Sequence, residues 1–166
     1  MYGGELISHI INIYEKEEKP PAEKGNLYLS GVYVLDSPDI LKKSNIKSVL
    51  TIIDDYSYKA FRVKSKIMKI GIENHEWYEL DDVEDESIYP YLSKAHSFIK
   101  EKLTDHNVLV HCQMGMSRSS SLVIAFLMKE YGMKYSQARA LAKKRREIVH
   151  PNEGFEKDLR KFEQHV

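Results

Sequence analysis

The stretch from Val108 to Met128, VLVHCQMGMSRSSSLVIAFLM, constrains this chain more than any other. A short β-branched apolar run ends at His111 and Cys112, a turn containing Gly115 follows, and from Arg118 an apolar segment begins that is too long for a strand. The order is strand, loop, helix. Cys112 is the only cysteine, so it has no partner for an intrachain disulfide and no second thiol for a zinc site. Reactivity is the remaining use. The thiolate is the nucleophilic form, and a helix N-terminus or a neighbouring cation favours it. Residues Gln113, Met114, Gly115, Met116 and Ser117 can curl so that successive backbone N–H groups point inward, while Arg118 opens the helix with a planar guanidinium fork. Gly115 lets the backbone turn inward without a Cβ in the way. A phosphoryl group fits such a cradle, with phosphorus over the sulfur and the fork on two equatorial oxygens.

The run His111, Cys112, Gln113, Met114, Gly115, Met116, Ser117, Arg118, Ser119 resembles the signature loop of the Cys-based protein tyrosine phosphatase superfamily, in the form of the small dual-specificity phosphatases. Arg146-Glu147-Ile148 and Pro151-Asn152-Glu153-Gly154-Phe155 are similar to that family's C-terminal pattern, so the resemblance spans about residues 26 to 164. It implies an α/β fold with a central, mostly parallel sheet flanked by helices. The interleaving of strands and helices along the chain predicts the same class.

At 166 residues the chain suits one domain with a proper core. Residues 26–166 are expected to form the catalytic domain, preceded over 1–25 by an amphipathic helix and a charged linker. Leu6, Ile7, Ile10, Ile11 and Tyr14 recur at helical spacing, which predicts a helix from about Gly4 to Glu15. That helix either packs on its own domain or offers a docking face, leaving the chain a monomer or a weak dimer through it. The following EKEEKPPAEKG reads as linker. Lys plus Arg equals Asp plus Glu at 25 each, so no global basic field points to nucleic acid or an anionic membrane. No apolar run nears the roughly 18 residues of a membrane span, and no basic leader marks a signal peptide. The N-terminal glycines are Gly3 and Gly4, with Tyr2 directly after Met1, so myristoylation is not indicated. A soluble protein of the cytoplasm or nucleus is expected, in keeping with a single thiol.

Further along, strands are predicted at Leu27 to Leu29, Val32 to Leu35, Val49 to Ile53 and Trp77 to Leu80, and a short helix at Asp39 to Ser44 capped by Ser37 or Asp39. Residues 55 to 74 fit neither period and read as mixed loop, with a short strand near Lys66 to Ile70. Ile88, Leu92, Ala95, Ile99 and Leu103 mark a helix with Ser87 as cap and Pro90 in its first turn. The helix from Arg118 to Tyr131 is apolar nearly all round, so it is the buried one, stopped by Gly132. Ser136 is the expected cap of a helix with Ala138, Leu141, Ala142 and Ile148 inward. Asn152 is the expected cap of the last, with Phe155, Leu159 and Phe162 inward.

The displaced oxygen is a poor leaving group and needs a proton from a carboxylic acid. Asp81, Asp82, Glu84, Asp85 and Glu86 lie together before the Ser87 helix. The resemblance places the acid in this loop at Asp82, with Asp81 as runner-up. It also makes Ser119 the hydroxyl that assists the departing sulfur, His111 a brace of the loop rather than a base, and Asn152 a supporting residue. Lys143 to Arg146 form a basic run that is either a solvated helix face or, through Arg146, a contact for a second substrate phosphate. His9, His75, His96, His106, His150 and His165 show no metal-ligand spacing, so no cofactor or metal is expected. Gln113, Met114 and Met116 are uncharged where relatives acting on inositol phosphates add lysines, which favours a phosphoprotein substrate. A phosphopeptide-binding module without turnover, and an RNA 5′-triphosphatase, are the alternative readings.

Overall fold

The structure, a computed structural model, describes residues 7–12 and 25–166. Among these residues five strands, β1 (Ile7–Asn12), β2 (Asn26–Ser30), β3 (Ile46–Ile52), β4 (Asn74–Tyr78) and β5 (Asn107–His111), form one sheet in the order β1-β2-β5-β3-β4. Among the described residues only the β1–β2 pairing is antiparallel, so the expected α/β class with a mostly parallel sheet is the one observed. Seven helices accompany it among the described residues: α1 (Pro38–Lys43), α2 (Asp55–Ala60), α3 (Val63–Ile70), α4 (Tyr89–Leu103), α5 (Arg118–Tyr131), α6 (Tyr135–Arg145) and α7 (Glu153–Glu163).

The period of two along each strand splits the apolar residues between two faces. Leu27, Leu29, Leu50, Ile52, Val108 and Val110 meet α4, α5 and the C-terminal helices in the larger core. Val49 and Leu109 point the other way, to Leu41 of α1, Val63 and Ile67 of α3, and Val32 and Val34 of a 310 turn at Val32–Asp36. β5 lies in the middle, bonded to β2 on one side and β3 on the other. α5 is buried at every residue from Arg118 to Met128, as its all-round apolarity predicts, and Gly132 ends it in the left-handed region at φ 63.

Several local expectations are corrected. Residues 7–12 are a strand, not part of a helix, because the open edge of β2 supplies a ladder that β-branched Ile7, Ile10 and Ile11 fit. A bulge between His9 and Ile11 accounts for their helix-like spacing. A dimer face on a helix over 4–15 therefore has no counterpart at 7–12; the rest of that segment, and the linker before Gly25, lie outside the described residues. Val32–Asp36 is a 310 turn instead of a strand. The 55–74 region holds α2 and α3, with Val63 and Ile67 one turn apart and buried, and no strand near Lys66. Arg62 at φ 53 breaks the helical period between them, which hides it in the sequence. The strand expected at Trp77 to Leu80 ends at Tyr78. α6 starts at Tyr135 and stops at Arg145, so Ser136 is inside it rather than its cap, and Val149 is buried in place of the half-exposed Ile148.

Candidate active site

At the C-terminal edge of the parallel strands, β5 runs out at His111, and the chain crosses from Cys112 to Arg118 before entering α5. Each carbonyl from Gln113 to Ser117 is taken from outside the loop. Val32 N–H donates to Gln113 O at 2.9 Å, and Arg146 donates from Nη2 to Met114 O and from Nε to Gly115 O, both at 3.0 Å. His150 N–H (2.8 Å) and the Ser120 hydroxyl (2.6 Å) donate to Met116 O. Ser121 donates to Ser117 O from its N–H and its hydroxyl. In a planar trans peptide the N–H points opposite to the preceding carbonyl. Five outward carbonyls therefore leave the N–H groups of residues 114 to 118 facing the enclosed side.

Cys112 Sγ sits there, 2% exposed, accepting from Gly115 N–H at 3.2 Å and from the Ser119 hydroxyl at 3.0 Å. Gly115 adopts φ 67, and a Cβ on it would lie 2.5 Å from the Ser30 carbonyl carbon, so a side chain is excluded twice over. Arg118 is 4% exposed. Its Nη1 donates to Leu80 O at 2.9 Å and lies 3.2 Å from Asp54 Oδ2. Burial pushes the Asp54 carboxyl up, but hydrogen bonds from Ser57 and Arg118 outweigh it and hold it below the usual carboxylate range. Arg118 Nε is buried with no partner among the described residues. A buried orphan donor beside a ring of inward N–H groups calls for an anion.

His111 lies beneath the loop, fully buried. Its Nδ1 is 3.1 Å from Cys112 O and so carries the proton, and its Nε2 accepts from the Thr51 hydroxyl at 2.8 Å. Thr51 in turn accepts from His75 Nε2 at 2.8 Å. Burial pushes both imidazoles down to about 4, so both are neutral near pH 7. His111 is thus neutral and engaged at both ring nitrogens beneath the loop.

Asp82 is exposed, and its Oδ1 accepts from Asn152 Nδ2 at 2.9 Å. Asn152 accepts from Phe155 N–H as the cap of α7, and its own N–H donates to the Ser117 hydroxyl. Asp82 is thus tied to the loop through one intermediary, whereas no hydrogen bond from Asp81 is seen among the described residues. The Arg146 guanidinium donates to Met114 O, Gly115 O and, at 3.4 Å, the Ser8 hydroxyl, so it holds the backbone of the loop. Sequence reasoning did not find Thr51, His75 or Asp54 in these roles. Asp54 alone carried a local signal, as a cap ahead of α2, where it accepts from Ser57 N–H. Among the described residues no group of three His, Cys, Asp or Glu could hold a metal, and no helix is long and apolar enough to cross a membrane.

Comparison with known proteins bears on this arrangement. Residues 27–165 match the family model described as dual specificity phosphatase, catalytic domain. Dual specificity protein phosphatase 1B of Arabidopsis thaliana is 34% identical over 149 residues, covering 84% of this chain and 79% of the relative. Dual specificity protein phosphatase 1 of the same plant is 31% identical over 163 residues, covering 93% and 74%. The crystal structure of human DUSP28 superposes with a TM-score of 0.74 over 96% of this chain and 94% of that one, at 16% identity, a likeness of fold.

Proposed function

The chain belongs to the dual specificity phosphatase family, and from that premise we propose the following roles for its residues in hydrolysing phosphotyrosine and phosphoserine or phosphothreonine. The observation that carries the reading is the loop whose five carbonyls face out and whose Gly115 N–H closes on Cys112 Sγ beside the orphan Arg118 Nε. The phosphoryl oxygens take those N–H groups and the Arg118 fork. The Cys112 thiolate attacks phosphorus as the P–O bond to the substrate breaks, and protonated Asp82 gives its proton to the leaving oxygen. A water then attacks the cysteinyl phosphate, losing its proton to Asp82. The S–P bond breaks, phosphate leaves, and the Ser119 hydroxyl, already 3.0 Å from Sγ, stabilises the returning thiolate.

Asp82 is favoured over Asp81 by its bond to Asn152. A phosphoprotein substrate is supported by Met114 and Met116, which are exposed in the cradle loop and uncharged. A reducing compartment, cytosol or nucleus, belongs to the same reading, since the nucleophile must stay a thiol, and so does a place in phosphoprotein signalling. Cys112→Ser tests the mechanism. It is expected to abolish turnover of phosphotyrosine and phosphothreonine peptides while leaving their binding measurable, because the cradle and Arg118 remain. Turnover within about tenfold of the unaltered protein would overturn the covalent route.

A further inference from the structure

Beside the active site, α2, α3 and the end of β4 enclose a mostly apolar groove of about 590 Å³. Its wall is a stacked pair, Tyr58 on Trp77, with centroids 3.8 Å apart and planes at 10°. Trp77 Nε1–H is anchored on Ile53 O at 2.9 Å, so the wall is preformed. Met68, 70% exposed, forms the opposite lip, a soft apolar surface left to water. Lys59, Arg62 and Lys64 rim the opening. Lys59 is paired with Asp55 at 2.7 Å, but Arg62 and Lys64 make no ion pair among the described residues. Arg62 is also held at φ 53, an uncommon state for a long side chain, at the turn that sets α3 against α2.

Charge decides what such a groove takes. The groove's lining holds three cationic side chains, Lys59, Arg62 and Lys64, and one carboxylate, Asp55, whereas residues 71 to 93 hold eight carboxylates and no Lys or Arg. The chain's zero net charge thus conceals two opposed fields side by side. An acidic partner is repelled from the Asp82 loop and drawn to Arg62 and Lys64, and a bulky apolar residue in it can fill the space between Trp77 and Met68.

Position decides whose segment it is. Asp54, which caps α2, touches the Arg118 guanidinium, and Asp55, Tyr58 and Lys59 of that same six-residue helix line the groove. Six helical residues span roughly 9 Å, a distance that about three extended residues bridge. We propose that the α2–α3 groove docks an acidic segment of the substrate phosphoprotein, with a bulky apolar anchor residue, a few residues from the phosphorylated side chain. This rests on the phosphatase reading of the Cys112 site for the identity of the partner, but the docking itself is measurable without catalysis.

Trp77 is the chain's only tryptophan, so its emission reports on the groove directly. The full chain is titrated with an unphosphorylated peptide of Asp, Glu and Leu. A saturable change in emission is expected, unaltered in Cys112→Ser and about tenfold weaker when Arg62→Gly is combined with Lys64→Glu. Glycine suits the φ of 53, so that variant removes the charge without straining the turn. No emission change, equal affinity in the double variant, or binding of phosphatidylserine vesicles in the peptide's place would each overturn the proposal. Joining the acidic segment to a phosphotyrosine should lower KM for the unaltered chain and not for the double variant, with turnover of a small aryl phosphate alike in both. If the unaltered chain turns over no phosphate ester, the phosphatase reading has failed, and the titration still decides the groove.

Discussion

A single amide illustrates how much one residue carries here. Asn152 uses its Oδ1 to cap α7 on Phe155 N–H, its Nδ2 to hold Asp82, and its backbone N–H on the Ser117 hydroxyl. The two side-chain duties separate on substitution. Asn152→Asp keeps a cap oxygen but replaces the donor to Asp82 with a like charge, whereas Asn152→Ala loses both. Both variants are expected to lower kcat/KM for a phosphothreonine peptide about tenfold, because its alkoxide leaving group needs the proton, and much less for an activated aryl phosphate. Only Asn152→Ala should also cost about 1 kcal/mol in stability. Comparing the two substrates, with a thermal melt of each variant, checks this; equal losses on both substrates would show that Asp82 is not positioned by Asn152.

The elements hold the acidic loop from its far side. α4 begins at Tyr89 with no capping side chain of its own, and Ser87 does not serve as its cap. The acceptor comes from α7, where Asp158 Oδ2 takes the Ser87 hydroxyl at 2.8 Å, Ile88 N–H at 2.9 Å and Tyr89 N–H at 3.1 Å. A carboxylate at a helix N-terminus also meets the positive end of its dipole. Gly154 of α7 lies against the Glu84 backbone so closely that no Cβ would fit. α7 therefore grips the 81–88 segment at Asp82, Glu84 and Ser87 together. Asp158→Ala is expected to cost about 1–2 kcal/mol, a fall of a few degrees in Tm, with Asp158→Asn recovering part of it. An unchanged melting temperature for Asp158→Ala would contradict the capping role. The helix itself was legible from Ile88, Leu92, Ala95, Ile99 and Leu103. Its cap was not, because the acceptor lies about 70 residues away in sequence.

Across the whole molecule, the partly buried His75 and the fully buried His111 link folding to pH. Burial lowers both from the ordinary 6.5 to about 4, so the folded chain keeps them neutral while the unfolded chain protonates them first. Where the unfolded state binds more protons, stability rises with pH. The contribution is therefore complete above about 6.5 and is lost as pH falls toward about 4, to a total on the order of a few kcal/mol. Urea unfolding near neutrality and at pH about 5 should show a lower midpoint in acid, and His75→Gln should flatten the difference. A midpoint independent of pH over that window would mean that neither imidazole is held neutral by the fold.

What the sequence determined by itself was whatever a few neighbouring residues decide among themselves. The spacing from Cys112 to Arg118 with Gly115 between, the all-apolar run that makes α5 central, its stop at Gly132 and the cap at Asn152 all act within one loop or one helical turn. Tertiary structure decided the matters in which a group's partner lies far along the chain. Residues 7–12 became a strand because β2 had an open edge, Arg146 turned to the backbone of the loop because Met114 O and Gly115 O needed donors, and His111 was braced by Thr51 and His75 from other strands. The physical reason is common to all three. A side chain or a strand edge announces that it has donors or acceptors to satisfy, but which partner satisfies them depends on which segments the packed sheet brings within about 3 Å.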